Sequence, residues 1–279
     1  WAEVSDLNVA RRAGSAAGTS ASAVYFCGYP SPPGTLTEEW NFDTTLAAGV
    51  WATGNNMNTA RTDVAGTGTQ TAALATGGDT PPVSALNESY DGSSWTEEAD
   101  LNTARYGAGS SGTTTAALAF GGYTGSNVDV VESYDGSTWT EVNDLNTARR
   151  LLNNAGTSTA SLAFGGYIDA SQVVTETWDG TNWTEGNDLN TARYGIGGTG
   201  ITTAALAFGG EDPSAVSNAT ESYNGTSWTE VNNLNTARRY MGSAGVQGGA
   251  LAFGGFTTAE VGVNESWDGT SWTEVADLN

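Results

Sequence analysis

Short apolar runs recur along this chain at a nearly constant spacing, and each ends in glycine. "AALATGG" (72–78), "AALAFGG" (116–122), "ASLAFGG" (160–166), "AALAFGG" (204–210) and "GALAFGG" (249–255) are five of them. A run this short, apolar or small at every position, predicts a strand covered on both faces. The stretch around the third run divides into four pieces, "ARRLLNNAG", "TSTASLAFGG", "VVTETWDG" and "NWTEGNDL". Each is bounded by Gly, Asn or Asp and is rich in β-branched, aromatic or small residues, so the unit predicts four strands, a to d. No stretch keeps a 3.6-residue amphipathic period over a helical length.

The same phrase accompanies every unit. "WTEVNDLNTARR" begins at Trp139, and close copies begin at Trp95, Trp183 and Trp228. Drifted copies begin at Trp1 and Trp51, and a shorter one, "WTEVADLN", at Trp272. The separations are 50, 44, 44, 44, 45 and 44 residues, which makes six units. A period of this length is the mark of a propeller or solenoid. Asp-Gly in "YDGST" and "WDGTN" sits where a tight hairpin would join strands c and d. Six four-stranded antiparallel sheets around an axis predict an all-β, six-bladed propeller occupying residues 1–279 as a single domain. The tryptophans, repeated in one register, are expected to pack between blades. Six a–b–c sets accompany seven d segments, so only one of Trp1–Asn8 and Trp272–Asn279 can complete the sixth blade. The local "WDGTS" turn favours the second, leaving Trp1–Asn8 outside the ring or against its edge.

These residues resemble the kelch repeat, whose pattern is a Gly-Gly, a later Tyr and a Trp. Gly121-Gly122/Tyr134/Trp139 carries it, as do Gly77-Gly78/Tyr90/Trp95, Gly165-Gly166/Trp178/Trp183, Gly209-Gly210/Tyr223/Trp228 and Gly254-Gly255/Trp267/Trp272. The first unit departs from the pattern. Cys27 stands where the first glycine belongs and is expected to be a buried small residue, and six extra residues are expected to lengthen the c–d loop at "NFDTTLAAGV". The Asn/Thr/Ala-rich dialect is similar to kelch-like arrays of marine phages and their uncultured relatives. That second resemblance implies a tail-fibre or other virion structural protein, extracellular or on a virion surface and part of a larger assembly.

Charge narrows the partners. Nine basic residues against 31 acidic ones give a net charge of −22, and all nine are arginine. Such a surface repels phosphate backbones, which argues against nucleic acid and anionic membranes, and no apolar run is long enough to insert into a bilayer. One cysteine excludes an internal disulfide framework. With no histidine, Ser-His-Asp and Cys-His catalysis and histidine metal sites drop out, as does the copper radical chemistry known in some kelch propellers. With no lysine, a phosphate-binding GxxxxGK[ST] loop is excluded. Calcium needs several carboxylates in one loop, and a lone Asp per turn reads as turn formation. No cofactor, metal or catalytic residue is therefore expected.

Sialidase-type catalysis survives that inventory, because "SYDGSTW" nearly matches the Asp-box and sialidases hold a carboxylate with three arginines. Arg11, Arg61, Arg105, Arg149, Arg193 and Arg238 form a set once per blade, however, always in "TAR" or "VAR". A catalytic trio breaks symmetry, whereas these obey it. They are expected to be structural, pairing with Glu132, Glu176, Glu221 and Glu265 or capping strand-end carbonyls.

Variation gathers in two places: after the glycine doublet, in the b–c connections, and after the repeat arginine, at Arg12, Thr62, Tyr106, Arg150, Tyr194 and Arg239-Tyr240. Alternating strand direction puts b–c and d–a connections on one end of the propeller. Arg and Tyr dominate recognition patches. The expectation is thus a non-catalytic binding or adhesion module that meets a host-surface glycan or protein. Arg12, Tyr106, Arg150, Tyr194, Arg239 and Tyr240 would cluster at the channel mouth with exposed tips. Relaxed drift in solvent-exposed loops would also produce such variation. An architectural spacer in a virion or filament is the alternative.

Overall fold

The computed structural model describes residues 10–29, 34–43 and 48–275. They form six four-stranded antiparallel sheets, each in plain sequence order from inner to outer strand. Blade 1 holds β1 (Ser15–Gly18), β2 (Ser22–Phe26), β3 (Thr37–Asp43) and β4 (Ala48–Thr53); blade 2 holds β5 (Ala65–Thr69), β6 (Ala72–Thr76), β7 (Asn87–Tyr90) and β8 (Trp95–Glu97). Blade 3 holds β9 (Gly109–Thr113), β10 (Ala116–Phe120), β11 (Val131–Tyr134) and β12 (Trp139–Val142); blade 4 holds β13 (Asn153–Thr157), β14 (Ala160–Phe164), β15 (Thr175–Trp178) and β16 (Trp183–Glu185). Blade 5 holds β17 (Gly197–Ile201), β18 (Ala204–Phe208), β19 (Thr220–Tyr223) and β20 (Trp228–Val231); blade 6 holds β21 (Gly242–Val246), β22 (Gly249–Phe253), β23 (Asn264–Trp267) and β24 (Trp272–Val275). The inner strands of blades 1 and 6 also touch, so the ring is closed and the fold is a six-bladed propeller. The outer strand of blade 6 is β24, with Trp272 opposite Trp267. Residues 1–9 of the copy that begins at Trp1 lie outside the described residues, as do the last four residues of the copy from Trp272.

The apolar runs are the second strands, buried on both faces. Their phenylalanines receive the outer-strand tryptophan of the next blade: Phe26 meets Trp95 at 4.9 Å, Phe120 meets Trp183 at 5.0 Å, Phe164 meets Trp228 at 5.0 Å and Phe208 meets Trp272 at 4.8 Å between ring centroids. Each such pair buries a large apolar area between blades, with edge-on ring geometry at Phe26, Phe164 and Phe208 and a tilted one at Phe120. Blade 1 meets blade 6 through Tyr25 and Phe253, 5.1 Å apart.

Two local expectations need correction. The extra residues of unit 1 extend the strands instead of the loop alone, since Asn41 pairs with Val50 and Asp43 with Ala48. The Asp-Gly turns are four-residue connections, not two-residue ones. Asp179 Oδ1 accepts the N–H groups of Thr181 and Asn182, both at 2.8 Å, while Gly180 takes φ of 93°. The aspartate side chain thus mimics a backbone acceptor. In the same turn of blades 2 and 3, Asp91 and Asp135 are held down to about 2 by the hydroxyls of Ser93 and Ser137 and by backbone N–H groups.

The repeated phrase has its explanation in a buried ion pair. Arg61, Arg105, Arg193 and Arg238 lie 2.7, 2.8, 2.8 and 2.7 Å from Glu88, Glu132, Glu221 and Glu265, and Arg149 pairs with Glu176 in the same way. Arg11 and Glu38 are looser, at 3.8 Å. All six arginines are at most 1% exposed. Each guanidinium also donates to strand-end carbonyls, as Arg61 does to Gly77 and Leu86, both at 2.6 Å. The other carboxylate oxygen is held by the asparagine of the phrase: Asn102 donates to Glu132 through its backbone N–H at 2.7 Å and its side chain at 2.8 Å. The same asparagine side chain reaches the Trp139 carbonyl at 2.9 Å. "LNTAR" is therefore a clasp. It leaves one blade, crosses the end of the next, and grips that blade's third and fourth strands before starting its first.

The glycine doublet locks neighbouring clasps together. Gly122 donates to the Arg149 carbonyl and Gly166 to that of Arg193, both at 2.9 Å, and Gly255 closes the circle on Arg11 at 3.1 Å. A Cβ on Gly121 would stand 2.6 Å from the Arg149 carbonyl oxygen, and φ there is 66°. Cys27, fully buried, takes the corresponding position in blade 1 with φ of 55°, and burial pushes its thiol up to about 12.

Removing one partner of a buried pair leaves an uncompensated charge. Glu132→Ala is expected to lower the unfolding free energy by about 3–5 kcal/mol in urea denaturation. The exposed turn substitution Thr181→Ala should change it by about 0.5 kcal/mol or less.

Candidate recognition face

The residue after each repeat arginine is joined by backbone pairing to the residue after the same blade's glycine doublet, or after Cys27-Gly28 in blade 1. The six pairs are Arg12 with Tyr29, Thr62 with Asp79, Tyr106 with Tyr123, Arg150 with Tyr167, Tyr194 with Glu211, and Arg239 with Phe256. The two variable positions of the repeat thus form one twelve-residue crown on the d–a and b–c end. The expected site residues do share this face, though not with freely exposed tips. Arg12, Tyr106, Arg150, Tyr194 and Arg239 are all half-buried because they pack on one another.

Crown contacts run between blades. The Tyr106 and Tyr123 rings are 5.3 Å apart, and the Arg150 guanidinium lies over Tyr123 at 4.2 Å and over Tyr167 at 5.3 Å. Tyr167 meets Tyr194 at 5.0 Å, and the Tyr194 hydroxyl accepts a 2.9 Å hydrogen bond from Arg239. Arg239 pairs with Glu211, and its guanidinium lies over Phe256. Phe256 also carries Arg12 at 4.1 Å, and Arg12 is 3.5 Å from Glu260. The arc of alternating cations and rings breaks at blade 2, where Thr62 and Asp79 stand.

Inside the crown lies a second ring that sequence reasoning missed. The next residue of each blade, Ala13, Asp63, Gly107, Leu151, Gly195 or Tyr240, has φ between 51° and 63°. Each donates its backbone N–H to the carbonyl of the equivalent residue in the preceding blade, at 2.7 to 3.1 Å, and Ala13 closes the cycle on Tyr240. Six blades are tied by six hydrogen bonds around the axis. Four of these residues are not glycine, and a left-handed backbone is strained for them. The closed cycle holds them there.

Small and large side chains alternate around this collar. A Cβ on Gly107 would come 3.1 Å from a Leu151 methyl, and one on Gly195 would come 2.8 Å from the Tyr240 ring. Leu151 and Tyr240 therefore lie over their neighbours' glycines. Tyr240 belongs to this inner ring, not to the crown where the sequence reading grouped it with Arg239. Beneath the collar runs an axial cavity of about 260 Å³ lined by the inner strands.

Asp63 is the one carboxylate of the collar. Burial, then the charge of Asp79, pushes it up to about 6, against the Thr62 hydrogen bond and the Arg12 and Arg150 charges. Burial also raises Tyr240 above the ordinary phenol value, as it does Tyr106. The six repeat arginines stand elsewhere, each buried against a glutamate of its own blade. No three of them converge on one cavity, as a sialidase-like clamp would require. Among the described residues, no group of three His, Cys, Asp or Glu side chains could hold a metal ion.

The crown partners Tyr29, Asp79, Tyr123, Tyr167, Glu211 and Phe256 were not singled out from sequence. Their signal was present, since five of them are the first residue after a glycine doublet and Tyr29 follows the equivalent Cys27-Gly28. No protein-family model matches this chain, and no curated protein does.

The raised Asp63 has a defined pH signature. Its folded pKa, about 6, exceeds the ordinary unfolded value of about 3.9, so the folded chain binds this proton more tightly and stability falls as pH rises between those values. Asp63→Asn, which tolerates the same backbone, should stabilise the protein by about 3 kcal/mol above pH 7 and leave it unchanged below about pH 4. Urea denaturation at the two pH values checks this.

Proposed function

We propose that this propeller is a non-catalytic recognition module that meets its partner through the crown. One observation carries the reading. Of nine arginines, in a chain with no lysine or histidine, six are sealed in buried pairs and the remaining three, Arg12, Arg150 and Arg239, all stand on the crown. On a surface of net charge −22 the accessible cations are confined to one end. That distribution favours binding over drift, because drift has no reason to concentrate arginine beside tyrosine at the channel mouth.

The partner in this proposal is a host-surface glycan or protein. The setting is extracellular or on a virion, with the propeller as one part of a tail-fibre or adhesion assembly. The kelch-like repeat and its phage-like dialect support that setting. A rigid closed ring with varied loops suits the task, since binding residues sit on loops that a scaffold positions. An architectural spacer is the competing reading, and it would be indifferent to the crown.

Replacing Tyr106 and Arg150 together with alanine separates the two. The double variant should lose attachment to the host surface and to any glycan that the parent protein binds on an array. Its thermal midpoint should move by about 4 °C or less, as half-exposed side chains contribute little to the fold. Undiminished attachment would favour the spacer.

A further inference from the structure

The three crown arginines are not equivalent, and the difference points to a ligand. Arg239 is paired with Glu211 and bonded to Tyr194, and Arg12 lies beside Glu260. Arg150 has no carboxylate within ion-pair distance and no side-chain hydrogen bond among the described residues. Asp63 feels its charge without bonding to it. Five N–H donors of a half-buried guanidinium are thus left without a protein acceptor. Two tyrosine rings hold the group, Tyr123 at 4.2 Å and Tyr167 at 5.3 Å. A guanidinium laid on a ring face keeps its donor edge, which lies in its own plane, available to a second group. Stacking also fixes the plane in advance, so little freedom remains to be lost when an oxyanion arrives.

Resting on the recognition-face reading above, we infer that Arg150, with Tyr106, Tyr123 and Tyr167, forms a subsite for an oxyanion carried on a sugar ring. A uronate carboxylate and a sugar sulfate share that chemistry. The planar fork accepts either through two parallel N–H···O bonds. The half-exposed tyrosines beside it, continuing through Tyr194, offer aromatic surface to the C–H face of a pyranose.

A peptide is the poorer fit. The crown backbone is closed to strand addition, because Arg150 and Tyr167 bond each other's main chain at 3.2 and 2.7 Å. The side chains that hold Arg150 are tyrosine rings. Repulsion from the acidic body keeps anionic ligands away from other faces and leaves this mouth as their docking point.

The test titrates the full chain with four probes: a uronate tetrasaccharide, its carboxyl-reduced form, a sulfated neutral tetrasaccharide and a tetraglutamate peptide. Binding of the uronate or the sulfated sugar is expected, at least tenfold tighter than the reduced sugar or the peptide. Arg150→Ala should weaken it tenfold or more. Arg150→Lys, which keeps charge but not the fork, should recover only part of the loss. Asp135→Asn, on the opposite end of the propeller, should leave binding unchanged. A rise from 50 to 500 mM salt should weaken the acidic sugar alone. Circular dichroism of each variant, with an unchanged thermal midpoint, excludes unfolding as the cause. Equal binding of acidic and reduced sugars would overturn the oxyanion subsite, and loss of both in the Tyr106/Arg150 double variant would still uphold the face. Preferential peptide binding, insensitivity to Arg150→Ala, or no binding of either acidic sugar would also overturn it. In that last case, attachment of the parent and double variant to the host surface judges the face separately.

Discussion

A guanidinium buried beside a carboxylate is the interaction around which each blade is built. Taking both charges out of water costs several kcal/mol per ion, and the mutual attraction offsets this only when the remaining donors and acceptors are also satisfied. That requirement accounts for the conserved wording of the repeat within this chain. Burial pulls Arg105, Arg149 and Arg193 below the usual guanidinium value while their glutamates oppose it. The asparagine of "LNTAR" occupies the second carboxylate oxygen, and strand-end carbonyls take further Nη donors, while the Nε groups of Arg61, Arg105 and Arg193 find no acceptor among the described residues. The leucine before it is buried, as Leu101, Leu145, Leu189 and Leu234 are. The leucine, asparagine and arginine of the phrase serve one clasp, and losing the asparagine or arginine would leave a buried charge poorly compensated.

The clasp also decides what is free to vary. Because glycine N–H groups, arginine carbonyls and the collar cycle settle the backbone around the mouth, the crown side chains carry no duty to the frame. Their main chains are paired whatever residue is present, which is why Arg, Thr and Tyr all occupy the post-arginine position. The collar shows the limit of that freedom. Leu151 and Tyr240 are accommodated because Gly107 and Gly195 leave room beneath them. The inner ring therefore varies in neighbouring pairs, while the crown varies residue by residue.

Blade number, strand order and the burial of the tryptophans were legible because packing repeats with the period of the chain, and any residue that obeys the period is visible as frame. The four-residue Asp turn was misread because Asp-Gly suits more than one hairpin, and only the side-chain acceptance by Asp179 or Asp135 distinguishes them. The collar was illegible for a different reason. Its residues, Ala13, Asp63, Gly107, Leu151, Gly195 and Tyr240, share no chemistry, since their common role is played by backbone alone. The crown lay between these extremes. Arg150 and Tyr106 stood out by type, but the partner Tyr123, which positions Arg150, sits 27 residues before it and is joined to it only by the curvature of the ring.

The nine arginines divide into six that hold the frame and three that stand on the crown. Hydrogen exchange of the arginine side-chain N–H groups, followed by NMR on arginine-labelled protein, reads that division directly. Six slowly exchanging side chains and three rapidly exchanging ones are predicted, with Arg150→Lys removing one of the rapid set and Arg12→Lys and Arg239→Lys removing the others. More than three rapid side chains, or Arg150 among the slow ones, would contradict the separation of frame from face.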